Sequence, residues 1–179
     1  MTESGTLPPS DVDAVVFDVD GCLTDGALHY GVDGENTKVF HARDGMGMAM
    51  LRDSGIRMAV VSGRASPIIE ARLVELGVSV FKYRRMDKRR AIEELVEEWD
   101  LPASRMAAIG DDLVDVPMLR AVGFAIAPAD ADDRVRAVAH RVSSRPGGRG
   151  AVRELAELVL RARGDWPTMA RRFELEDTP

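Results

Sequence analysis

The segment VVFDVDGCLTDG, residues 15–26, places two carboxylates, Asp18 and Asp20, at the end of an apolar run rich in β-branched residues. Three later apolar runs also end in reactive side chains. RMAVV (57–61) leads into Ser62-Gly63-Arg64, VSVF (78–81) is followed by a short loop and Asp87-Lys88, and MAAI (106–109) leads into Gly110-Asp111-Asp112, with Asp115 beyond. Each alone has an ordinary explanation: an Asp after a strand often caps a helix or forms a turn, and a Ser or Lys in a loop is commonly solvated. Together they deliver carboxylates, a hydroxyl and an ammonium in a fixed order. Several carboxylates in one crevice repel one another and any phosphate, so they call for a divalent cation, and all-oxygen ligation suits Mg²⁺. An aspartate can attack phosphorus and split one displacement into two. A second carboxylate two residues on can protonate a leaving alkoxide and then deprotonate water. Lys88 and Ser62 can hold phosphoryl oxygens as charge builds on them.

Such convergence requires the runs to lie side by side. The pattern predicts strands at 13–19, 57–61, 78–81, 106–109, 123–126 and 140–142, and helices at 45–54, 66–76, 87–99, 114–121, 131–138 and 150–163. Alternation of this kind means βαβ units and a parallel sheet, with ligands bound beyond the carboxyl ends of the strands. The expected fold is α/β, a three-layer doubly wound parallel sheet. Residues 27–40 carry a turn signal at Asp33-Gly34 and read as a β-hairpin. Residues 1–12 read as a flexible leader, 13–163 as the domain and 164–179 as a C-terminal tail.

Composition narrows the partners. The 179-residue chain has a net charge of −6, which disfavours nucleic acid and anionic membrane. Its single cysteine excludes a disulfide framework and a cysteine zinc site, and fits a reducing cytoplasm. There is no apolar run of membrane-spanning length and no signal-like N-terminus. A cytoplasmic protein acting on a small molecule is expected.

In that order, DVDG, SGR, DK and GDDLVD resemble the four motifs of the haloacid dehalogenase superfamily. The resemblance implies a Rossmann-like fold, with Asp18 as nucleophile, Asp20 as general acid/base, and Ser62 and Lys88 as phosphate-holding residues. It implies Mg²⁺ ligation by the Asp18 carboxylate, the Asp20 main-chain carbonyl and Asp111, with Asp112 and Asp115 as supporting acids. An acid at position 20 favours phosphoryl chemistry over dehalogenation, which has no alkoxide to protonate. Only 41 residues separate Asp20 from Ser62 and 25 separate Ser62 from Lys88, which leaves no room for a cap domain.

DGALHYGVDGE, KVFHARDG, VVSGRASPIIEARL, GDDLVDVPML and PGGRGAVREL resemble the capless 3-deoxy-D-manno-octulosonate 8-phosphate phosphatase family. This implies a phosphoric monoester hydrolase acting on a phosphorylated sugar acid. It also implies a homotetramer whose hairpins form a central barrel and whose neighbours complete each active site. Substrate-contacting positions carried over are His41, Ala42, Arg43, Asp44, Gly45, Arg64, Arg72 and Lys88. The chain departs from the family at His41 (usually Asn), at Ala49 (usually Arg) and at Tyr83-Arg84-Arg85-Met86, where a Gln-Gly pair is typical. These departures keep a nonulosonate 9-phosphate substrate open as an alternative. Arg84 and Arg85 are read either as an anion site or as a basic face answered by Glu93, Glu94, Glu97 and Glu98. A phospho-receiver domain would need an acceptor Asp after the third strand, and VSVF has none. A non-catalytic tetramerisation module would not need all four motifs.

Overall fold

The computed structural model describes residues 6–175. The sheet is built from β1 (Ala14–Phe17), β4 (Arg57–Ser62), β5 (Val80–Tyr83), β6 (Met106–Ile109), β7 (Phe124–Ala127) and β8 (Arg141–Val142). Its order is β5-β4-β1-β6-β7-β8, and every pairing in it is parallel. β2 (His29–Gly31) and β3 (Gly34–Thr37) form the separate antiparallel hairpin. The expected α/β sheet is thus present, with the hairpin as its only additional sheet among the described residues.

Strand alternation sorts the core into two layers. Val15, Phe17, Met58 and Val60 face one side, covered by α1 (Ala42–Asp53), α2 (Pro67–Glu75), α6 (Ala151–Arg163) and α7 (Trp166–Arg172). Ala14, Val16, Ala59 and Val61 face the other, covered by α3 (Lys88–Trp99), α4 (Val116–Leu119) and α5 (Asp133–Val138). β1 is central and buried on both faces, so Asp18 leaves the sheet at its middle.

Several boundaries differ from the sequence reading. The helix expected from residue 45 begins at Ala42, because the His41 imidazole caps it, accepting from the Arg43 backbone N–H at 3.2 Å. The third strand begins at Val80 rather than Val78. The Val78 N–H closes the end of α2 on the Leu73 carbonyl at 2.9 Å and is not available to the sheet. Where a tail was expected from residue 164, α7 folds back on α6. Met169 and Ala170 are buried, and the Arg161 guanidinium lies 4.2 Å over the Trp166 ring. At the other end Val12, assigned to the leader, is fully buried in the core. No helix among the described residues is long and apolar enough to cross a membrane.

Candidate active site

The parallel register aligns the strand ends. Phe17 pairs with Val60 and Ile109, and Ser62 pairs with Tyr83, so the residues after β1, β4, β5 and β6 meet at one edge. They line a cavity of about 550 Å³ that contains Asp18, Asp20, Ser62, Arg64, Lys88, Asp111, Asp112 and Asp115.

Lys88, at the first position of α3, is 1% exposed and organises the floor. Its Nζ lies 2.5 Å from Asp18 Oδ1 and also pairs with Asp115. One ammonium therefore serves two carboxylates. Burial works against the Lys88 charge, but Asp18 and Asp115 outweigh it and hold its pKa above the usual lysine value. Asp18 is pushed well above the ordinary carboxylate range by burial and by Asp115, against the pull of Lys88. Asp111 is raised to about 7 by burial and by Asp115 and Asp112.

Asp115 is fully buried and accepts the backbone N–H groups of Asp111, at 3.0 Å, and Asp112, at 3.2 Å. It fixes the loop that presents Asp111. Ser62 is buried at the end of β4, and its Oγ accepts from the Arg64 N–H at 3.1 Å. The Arg64 guanidinium bridges Tyr30 of the hairpin, at 3.1 Å, and Asp20, at 3.8 Å.

Five carboxylates meet three cations here, counting Lys38 through Asp20, so the edge is short of positive charge. Asp18 and Asp111 place carboxylate oxygens within 4.8 Å of each other, with the Cys22 sulfur as the third atom of the cluster. The Cys22 thiol is pushed well up by burial, Asp18 and Asp111, so it stays protonated and is a poor ligand. Two hard oxygen donors in an acid-rich pocket fit Mg²⁺.

Sequence reasoning missed two supports. The Lys38 side chain is fully buried, 2.5 Å from Asp20 Oδ1 and 2.7 Å from Glu35, and so ties the hairpin to Asp20. The only hint was its place at the head of KVFHARDG. The second is Gly147-Gly148. The Gly148 N–H donates to the Cys22 carbonyl at 2.8 Å, and a Cβ on Gly147 would stand 2.6 Å from the Gly21 carbonyl carbon. The glycines let this loop lie directly against the turn that carries Asp20. Gly21 itself sits at φ +96°, where a side chain would run into the Asp111 carboxylate.

Other expected substrate positions are placed elsewhere. His41 caps α1, and Ala42 and Arg43 are exposed on its first turn. Asp44 is turned inward and buried. Its carboxylate accepts the N–H groups of Gly150, at 3.0 Å, and Arg153, at 2.9 Å, so it caps the start of α6. Gly45 backs onto Arg72 and Leu76, and Arg72 pairs with Glu75 at 2.9 Å. None of these six lines the Asp18 cavity. Arg85 is answered by Glu94 at 3.0 Å and Arg90 by Glu93 at 3.1 Å, which matches the solvated-face reading of the basic cluster.

The family model of haloacid dehalogenase-like hydrolases matches residues 81–152. The 3-deoxy-D-manno-octulosonate 8-phosphate phosphatase of Haemophilus influenzae is 45% identical over 150 residues, covering 84% of this chain and 83% of that one. The chain belongs to the 3-deoxy-D-manno-octulosonate 8-phosphate phosphatase family. The Escherichia coli K12 enzyme of that name is 37% identical over 84% of this chain and 80% of its own. Two solved members of the family carry metal. The cobalt-bound form from H. influenzae has a TM-score of 0.84 at 43% identity, covering 87% of this chain and 91% of that one. The Moraxella catarrhalis phosphatase, in complex with magnesium ion, phosphate ion and KDO, has a TM-score of 0.89 at 36% identity, covering 92% and 94%. Family membership makes the chain a phosphoric monoester hydrolase with Mg²⁺ as its cofactor.

Proposed function

We propose that this chain hydrolyses 3-deoxy-D-manno-octulosonate 8-phosphate to the free sugar acid and inorganic phosphate by two successive displacements. In the first, an Asp18 oxygen attacks phosphorus, the ester P–O bond breaks, and Asp20 gives its proton to the departing sugar oxygen. In the second, Asp20 takes a proton from water as that water attacks the same phosphorus, releasing phosphate and restoring the Asp18 carboxylate. Lys88 orients Asp18, and Lys88 and Ser62 hold the phosphoryl oxygens. Lys38 and Arg64 hold Asp20 over the cavity. Asp18 and Asp111 would hold Mg²⁺, which when bound neutralises phosphoryl charge. The observation that carries the reading is the convergence of Asp18, Asp20, Ser62, Lys88 and Asp111 on one cavity, in a chain so similar to a phosphatase crystallised with magnesium, phosphate and KDO.

The substrate's sugar acid calls for contacts beyond this cavity, and a homotetramer would supply them. Leu28, Tyr30 and Val32 leave apolar surface exposed on the hairpin, which supports a hairpin-mediated assembly. In that arrangement Arg43 and Arg72, remote from their own cavity, would serve a neighbour's. The test is phosphate release with Mg²⁺ across octulosonate 8-phosphate, nonulosonate 9-phosphates and simple hexose phosphates. The highest kcat/KM is expected for octulosonate 8-phosphate. A preference for nonulosonate or hexose phosphates would overturn the substrate assignment.

A further inference from the structure

The hairpin motif DGALHYGVDGE ends on an acid, Glu35, that lies outside the Asp18 cavity. Glu35 is the second residue of β3, and Lys38 is the first residue after that strand. In a continuing strand, residues three apart face opposite sides. The pairing of Glu35 with Lys38 at 2.7 Å therefore requires the chain to turn as β3 ends. This is not the solvated surface ion pair that contributes little. The Lys38 side chain is fully buried and that of Glu35 is 13% exposed. Glu35 Oε1, the oxygen that faces the ammonium, is itself buried and has no other partner among the described residues.

Lys38 is thus held from two sides. Its Nζ donates to Asp20 Oδ1 at 2.5 Å and meets Glu35 at 2.7 Å. An ammonium on a flexible four-carbon stem has no fixed place of its own, and a second carboxylate on a paired strand supplies one. The other arm on Asp20 is looser: Arg64 is half-exposed, and its Nε stands 3.8 Å from Asp20 Oδ2. A short, buried, charge-assisted hydrogen bond outweighs a longer contact open to water and salt. The Lys38 arm therefore decides where Asp20 sits, and Glu35 decides where Lys38 sits.

We infer that Glu35 is a positioning residue for the proposed reaction: it seats the Lys38 ammonium and, through it, places the Asp20 carboxylate for both proton transfers. The role rests on Asp20 as the proton carrier of that reaction. Glu35 reaches the site only through Lys38, so its effect must vanish once the ammonium is gone.

A double-mutant cycle tests this role. Phosphate release at saturating Mg²⁺ is measured for the wild-type chain, Glu35→Ala, Lys38→Met and the double variant, with thermal unfolding and sedimentation run on each. The ester is whichever of octulosonate, nonulosonate and hexose phosphates the wild-type chain hydrolyses fastest, so a failed octulosonate assignment leaves the test intact. Glu35→Ala is expected to lower kcat about tenfold, as loss of a charge-assisted contact implies, with KM within about twofold. Glu35→Gln, which keeps an acceptor oxygen, is expected to fall between the wild-type chain and Glu35→Ala. The double variant is expected to match Lys38→Met, because two residues acting through one contact are not additive. Wild-type kcat in Glu35→Ala, a change in KM alone, or a further loss of about tenfold on top of Lys38→Met overturns the role. So does a loss of kcat that accompanies a change in sedimentation, which would make Glu35 an assembly residue. A wild-type chain that hydrolyses none of the esters would overturn the proposed reaction, and this role with it.

Discussion

Adding one methyl group at Gly147 should damage catalysis from outside the active site. The added Cβ would stand 2.6 Å from the Gly21 carbonyl carbon, below the 3.0 Å that real contacts keep, and nearer still to the carbonyl oxygen. Both sides of this contact are backbone, so no side chain can swing away. The 147–148 loop or the Gly21 turn must retreat, by about 1 Å once the oxygen is cleared. The loop is held by the Gly148 N–H on the Cys22 carbonyl, and by the Gly147 N–H on Asp130 at 2.8 Å. The turn is held by Lys38 through Asp20. Overpacking of this kind costs about 1–3 kcal/mol of stability. A displacement of about 1 Å at a reacting group costs on the order of a hundredfold in rate. Gly147→Ala is therefore expected to remain folded, melt several degrees lower and lose about two orders of magnitude in kcat. The assay is steady-state phosphate release at saturating Mg²⁺, alongside thermal unfolding by circular dichroism. A folded Gly147→Ala enzyme with near wild-type kcat would refute the claim that this loop positions Asp20.

Lys38→Met should lower kcat by about 10²-fold or more, with a smaller effect on KM, because it frees the proton carrier and leaves Asp18 and Lys88 in place; a KM change alone would make Lys38 a binding residue. Lys88→Met strips two buried carboxylates of their shared ammonium and should cost about 3–5 kcal/mol in urea unfolding without metal; an unchanged midpoint would contradict the burial of that pairing. In the metal-free protein Asp111, raised to about 7, keeps a proton that the unfolded chain, titrating near 3.8, has already released. The native state therefore binds more protons between about pH 4 and 7, and this contribution to stability falls as pH rises through that window. Mg²⁺ should flatten the dependence by compensating the ionised carboxylates, and a Tm–pH profile identical with and without Mg²⁺ would show that the cation does not sit among them.

What could be read from the sequence was whatever is local. β-Branched runs and the residues after them gave the parallel sheet and the edge carrying Asp18, Asp20, Ser62, Lys88 and Asp111, because a strand and its exit loop are contiguous in sequence. What could not be read depends on contacts between distant segments. Asp44 was expected at substrate because it lies in a motif, yet its partners Gly150 and Arg153 lie more than 100 residues away. Lys38 read only as one residue of the 27–40 hairpin, and it is the docking of that hairpin on Asp20 that buries it. Gly147-Gly148 stood out only within the PGGRGAVREL resemblance, and its meaning comes from the backbone of residues 21–25 beneath it. α7 was missed because its short apolar face, Met169 and Ala170, carries little signal until α6 offers a surface.

The central claim is that Asp18 becomes transiently phosphorylated. Acid-quenched turnover of radiolabelled octulosonate 8-phosphate, followed by peptide mapping, tests it most directly. The label is expected on the peptide containing Asp18, and is expected to vanish, together with phosphate release, in a folded Asp18→Asn protein. Label on another residue, or undiminished turnover by Asp18→Asn, would contradict the account.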